Sequence, residues 1–221
     1  MIGVLEGRHD LNRMAGQSSQ DRMALDFIDP LFAVVVSIGL VTVMAQPWFE
    51  GRGSLTMAFA FDIGVLVLGG STVILSWVGY HKSISTKPIR LETTPGFWRF
   101  IGDILLLLLY WLLLVKFQNF WFVLLTLVMI HIVFIGWDWL KKLEWDKNEN
   151  DDAKLRRGVT VFWTLVYMVL FLVYWQGSWN DGQVTFADWF LLGLAGLATG
   201  LYRVHKSKLS LSWLLSRIAP C

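Results

Sequence analysis

Cysteine is all but missing from this chain: its sole thiol is Cys221, the last residue. That excludes a disulfide framework, a thiolate metal cluster and a redox dithiol. Charge is scarce too, at 16% of 221 residues against 55% apolar, which leaves no room for a separate soluble domain. There is no phosphate-cradling glycine loop, no His-Glu-x-x-His pair, no serine elbow and no carboxylate–histidine set at metal-ligand spacing. The expectation is a protein that is not an enzyme, with no cofactor, no metal and no nucleic-acid partner. No Asn-x-Ser/Thr sequon occurs. Met1–Met23 is polar without an apolar core, so no cleavable leader is expected and the first apolar run would direct insertion.

What the chain has is apolar length. Six runs, at 30–46, 57–79, 97–115, 119–139, 159–175 and 184–202, are each about as long as a helix needs to cross a hydrocarbon core of ~30 Å. The reading is all-α: one polytopic domain over 1–221 with six membrane spans.

The basic residues sort by side. Seventeen of the nineteen Lys and Arg fall in the amino-terminal stretch, the 80–99 and 140–158 loops and the tail, while the other face carries only Arg52 and Lys116. Because loops rich in Lys and Arg stay on the side of synthesis, both termini are expected in the cytoplasm. Basic groups on that face would meet anionic lipid headgroups. Tryptophans at span ends, among them Trp48, Trp98, Trp139 and Trp175, read as an interfacial belt. The setting expected is an integral protein of a bacterial inner membrane.

Local signals set the boundaries. Asp29-Pro30 reads as the N-cap and first residue of the first helix. Pro95-Gly96 precedes the third, and Lys116–Asn119 is a hairpin short enough to make helices three and four antiparallel neighbours. The 140–158 loop reads as a solvated charge run. Beyond the sixth span, Leu211, Leu214, Leu215 and Ile218 lie at helical spacing, giving a helix that either rests on the cytoplasmic surface or packs on the bundle.

Polar residues inside apolar spans are candidates for function, because burying a charge in lipid is costly. Asp62, Asp103 and His131 are the three. Arg99, four residues before Asp103, is the expected partner of that carboxylate, and Asp138 is placed at a solvated interface. Glycines at 64, 69, 70, 193, 196 and 200 read as sites of close helix approach.

The first helix carries a more specific pattern. Arg22, then Phe27-x-Asp29-x-x-Phe32-Ala33 and an apolar run to Leu40, resembles the opening helix of the transmembrane protein 175 family of potassium channels. Trp77 and His81 closing the second helix, and Asp103 early in the third, match more loosely; Ile28 and Pro30 depart from the pattern. The resemblance implies a homo-oligomeric cation channel, a tetramer for a six-helix unit, with first helices around the axis. It places an apolar constriction at Val34, Ile38 and Val41, with the Ser37 hydroxyl beside it for a potassium or other monovalent ion. Arg22, Phe27 and Asp29 would pack the cytoplasmic end of that helix. A bare apolar ring gates by dewetting, so no carbonyl filter is required. Two other readings stay open. One is a non-conducting anchor or sensor working through the basic loop and tail; the other is a proton-coupled transporter using Asp62, Asp103 and His131.

Overall fold

The computed structural model describes residues 27–42, 44–45, 57–86, 89–145, 151–177 and 184–206. Among them every regular element is an α-helix: α1 (Phe27–Thr42), α2 (Met57–Thr86), α3 (Thr94–Val115), α4 (Phe120–Trp145), α5 (Asp151–Gly177) and α6 (Phe186–Lys206). Helices α2 to α5 are long and apolar enough to cross a membrane. The described turns of α1 reach roughly 24 Å, short of the ~30 Å a crossing needs. α6 carries Asp188 in its first turn and Arg203, His205 and Lys206 in its last, which dilutes its apolar content. Arg22 and the tail segment 208–218 lie outside the described residues.

Boundaries follow local chemistry. Thr93 caps α3, its Oγ1 accepting the Gly96 N–H at 3.1 Å, and Pro95 occupies the first turn where no N–H is needed. Gly96 is required because a Cβ there would overlap the Arg90 carbonyl. α3 ends where Lys116 N–H donates to Leu112 O, and Asn119 N–H donates to Lys116 O at 2.9 Å before α4 begins at Phe120. The expected hairpin is therefore present. The 140–158 segment is shorter as a loop than its charge suggested, since α4 runs on to Trp145 and α5 starts at Asp151. At α1 the helix is already under way at Phe27, so Asp29 sits inside the first described turn instead of capping it.

Consecutive helices α3–α4, α4–α5 and α5–α6 pack side by side, and α6 returns to α2, which also touches α3 and α4. Short connections make neighbours antiparallel. The C-terminal ends of α2, α4 and α6 thus share one end of the bundle with the N-terminal ends of α3 and α5. The core between them is built from Val65, Val73, Leu113, Leu124, Leu127, Ile130 and Tyr167, all nearly inaccessible. Such interdigitated packing is what holds helices together in lipid, where the surrounding tails are as apolar as the core.

The two ends differ in chemistry. One is aromatic: Phe61 meets Phe120 and Trp189 edge-on, Phe120 meets Tyr174, and Trp121 meets Trp175. The other collects Arg90, Arg99, Lys141, Glu144, Asp138, Arg203 and Lys206 and is called the basic end below.

Glycine placement is mixed. A Cβ on Gly39 would come within 2.6 Å of Leu114 Cδ1, and one on Gly64 within 2.7 Å of Leu192 Cδ2, so those backbones approach a neighbour closely. Gly193, Gly196 and Gly200 instead face open space, because α6 turns Leu191, Leu192, Ala195, Ala198, Thr199 and Tyr202 inward and leaves the glycines on its outer side.

Candidate functional site

α1 lies on the outside of the bundle, against α2 and α3. Its inner side is fixed by Ile28, 3% exposed, by Phe32 stacked on Trp77 at 5.5 Å, by Phe27 against Phe100 and by Gly39 against Leu114. One polar contact joins these: the Asp29 carboxylate and His81 Nε2 stand 2.8 Å apart, with both side chains more than a third exposed. Trp77 sets its ring edge-on to His81 at 4.6 Å. Four motif residues, Phe27, Asp29, Trp77 and His81, are thus gathered at the basic end of α1.

The opposite side of α1 is bare. Val34 is 51% exposed, Ile38 43% and Val41 65%, and Ser37 lies among them. Spacings of three and four put these residues on a single stripe. Ser37 Oγ donates its hydrogen to Ala33 O at 2.8 Å, which leaves the oxygen lone pairs to accept from or coordinate what passes along that stripe.

Behind α1 the basic end holds a buried polar cluster. Arg99 Nη1 is paired with Glu144 Oε2 of α4, both side chains fully inaccessible, and Glu144 Oε1 also accepts the Arg90 N–H at 2.5 Å. The bonded partner of Arg99 is thus Glu144, arriving from α4, while the same guanidinium still acts on the Asp103 carboxylate through space. Asp103, 2% exposed, accepts from Tyr80 Oη at 3.3 Å through Oδ2. A residue on, the Tyr80 and His81 rings stand at 6.1 Å, so Asp103 connects to the α1 anchor through α2. Arg203 of α6 reaches Ser76 of α2, one turn from Tyr80.

A second network joins α4, α5 and α6. Lys206 Nζ lies 2.9 Å from Asp138 Oδ2 and 3.0 Å from Tyr202 Oη, and Thr160 Oγ1 donates to the same carboxylate at 3.2 Å. Asp138 is thus an internal residue rather than a solvated one, because α6 folds Lys206 inward onto it. Deeper in the bundle His131, also 2% exposed, donates from Nδ1 to Leu127 O at 2.8 Å and stands between the rings of Tyr167 and Tyr202. Tyr167 Oη and Thr199 Oγ1 close this layer at 2.6 Å.

The structure separates the three intramembrane polar residues. Asp103 belongs to the α1 side, His131 to the α4–α5–α6 interior, and Asp62, half-buried, to the second turn of α2 near the aromatic end. Tyr80, Ser76 and Glu144 escaped the sequence reading, while Arg203 and Lys206 read only as basic residues of the cytoplasmic tail. Their signal was spacing: Ser76 and Tyr80, Trp137, Lys141 and Glu144, and Thr199, Tyr202, Arg203 and Lys206 each repeat every three or four residues at one helix end. Among the described residues no group of three His, Cys, Asp or Glu side chains is arranged to hold a metal ion. No family model, curated protein or solved structure matches the chain.

Proposed function

We propose that the protein is an oligomeric cation channel, permeable to potassium, in which α1 lines a shared axis and Val34, Ile38 and Val41 form an apolar constriction with Ser37 beside it. In this reading all six helices cross or enter the membrane, both termini lie in the cytoplasm, and four copies surround the axis in a bacterial inner membrane. The supporting observation is the two-sidedness of α1. Its motif face is bound to α2 and α3, while its stripe of Val34, Ser37, Ile38 and Val41 faces away from its own bundle. With its hydrogen bonded to Ala33 O, Ser37 keeps its oxygen available as an acceptor on that stripe.

An apolar ring conducts when wetted and closes when dry, so a polar side chain at its narrowest level holds water and opens it. Ile38→Asn is expected to raise potassium flux from liposomes several-fold, and Val34→Ala to change it less. Flux at the protein-free background in parent and in both variants, with the protein folded and oligomeric, rules the channel out and favours a non-conducting anchor or sensor.

A further inference from the structure

We propose that Asp103 is a proton-binding site inside the bundle, reached from the basic side, whose charge state sets how firmly α2 holds α1. The first half stands on geometry alone; the second rests on the channel reading above.

Asp103 is a carboxylate with unequal oxygens. Oδ2 accepts from Tyr80 Oη at 3.3 Å, a long bond, while Oδ1 is buried and meets no hydrogen-bond donor of good geometry among the described residues. The indole N–H of Trp137, on the facing helix α4, is directed at the same carboxylate without closing a well-formed hydrogen bond to it. A carboxylate bonded through one oxygen only is poorly compensated away from water, and a proton is the smallest ligand that removes its charge.

The positive charge that acts on Asp103 is Arg99, and it is shared with a second carboxylate. Arg99, on the same helix, gives its guanidinium to Glu144 and stacks it over Trp137 at 4.6 Å. From α4, Lys141 lies over the same indole at 5.3 Å and bonds Ser83 at 2.5 Å. From α6, Arg203 is held by Ser76 and by the rings of Phe134 and Tyr202. From α2 come Tyr80 and, a residue further, His81, already engaged by Asp29 of α1.

The step is one proton transfer. Oδ1 gains a hydrogen from hydronium on the basic side, water is released, and the net charge of the cluster rises by one. His81 and Asp29, both more than a third exposed, mark where that side approaches Tyr80. Tyr80 then donates to a neutral carboxyl instead of an ionised one, a weaker bond. The Tyr80 ring packs edge-on against the His81 ring at 6.1 Å, so a Tyr80 freed from the carboxylate changes the packing on the ring that holds α1 through Asp29.

The test is acid-minus-neutral infrared difference spectroscopy on the purified full chain in lipid vesicles, beside potassium flux against pH on the basic side. The parent is expected to show a carboxylic-acid carbonyl band slow to shift in heavy water. Asp103→Asn should abolish it, and Tyr80→Phe should move its frequency by removing a donor. Retention of the band in Asp103→Asn, or a parent whose only acid bands shift at once in heavy water as exposed carboxyls do, overturns the proposal; the parent measurement needs no variant to fold. Asp103→Asn should also flatten the pH dependence of flux. A band with these properties in a protein that passes no ions keeps the proton site and removes the channel reading. A flux whose pH dependence survives Asp103→Asn overturns the link to α1.

Discussion

Arg99 and Glu144 show how much a single side chain matters in this bundle. Both are fully inaccessible, so the cost of withdrawing two charges from water is offset only while they face each other. Glu144→Gln leaves the guanidinium opposite a neutral amide and is expected to destabilise the protein by about 3–5 kcal/mol, read as a fall in the thermal midpoint in detergent micelles. Arg99→Leu combined with Glu144→Leu should recover most of that loss. A double variant as unstable as the single one would mean that the pair is held for more than its mutual charge. The Lys206–Asp138 pair is less enclosed and has Thr160 and Tyr202 to share the load, so Asp138→Asn should cost clearly less than Glu144→Gln in the same measurement.

Among the helices, α1 and α6 make contrasting use of glycine. Gly39 brings α1 against Leu114, and a Cβ there would press on both Cδ1 and Cβ of that leucine. Gly39→Val is expected to push α1 off α3 and lower the thermal midpoint, with Leu114→Ala partly restoring it by opening the space. On α6, Gly196 and Gly200 meet nothing, so Gly196→Ala should be neutral or stabilising by up to ~1 kcal/mol through helix propensity alone. Loss of oligomer in Gly196→Ala without loss of monomer stability would show instead that a second chain covers this face. The spacing Gly193-x-x-Gly196-x-x-x-Gly200 was legible in the chain, but the direction it faces was not. A small-residue stripe is equally compatible with the inner and outer sides of a helix, and only the neighbours decide.

The bundle as a whole is polarised, with charge networks at one end and stacked aromatics at the other. The count of Lys and Arg by loop already predicts that the charged end faces the cytoplasm. The lone Cys221 makes this testable without adding a thiol: a membrane-impermeant maleimide should label it in inverted membrane vesicles and leave it unlabelled in intact cells. The reverse pattern would turn the whole molecule over.

Composition and the spacing of apolar runs were enough to settle that the described chain is helical and that long segments suit a membrane, because a bilayer demands length and hydrophobicity and both are written residue by residue. What named Phe27, Asp29, Trp77 and His81 together was the resemblance of the first helix to a known channel family, not composition or spacing, and the four do lie at one end of α1. Pairing across distant helices was another matter. That Glu144 bonds Arg99 from a distant helix, that Lys206 turns inward to Asp138, and that α1 keeps its Val34–Val41 stripe clear of its own bundle all depend on rotations of one helix against another. Those rotations are decided by how side chains from three or four helices fit together, which no segment specifies alone.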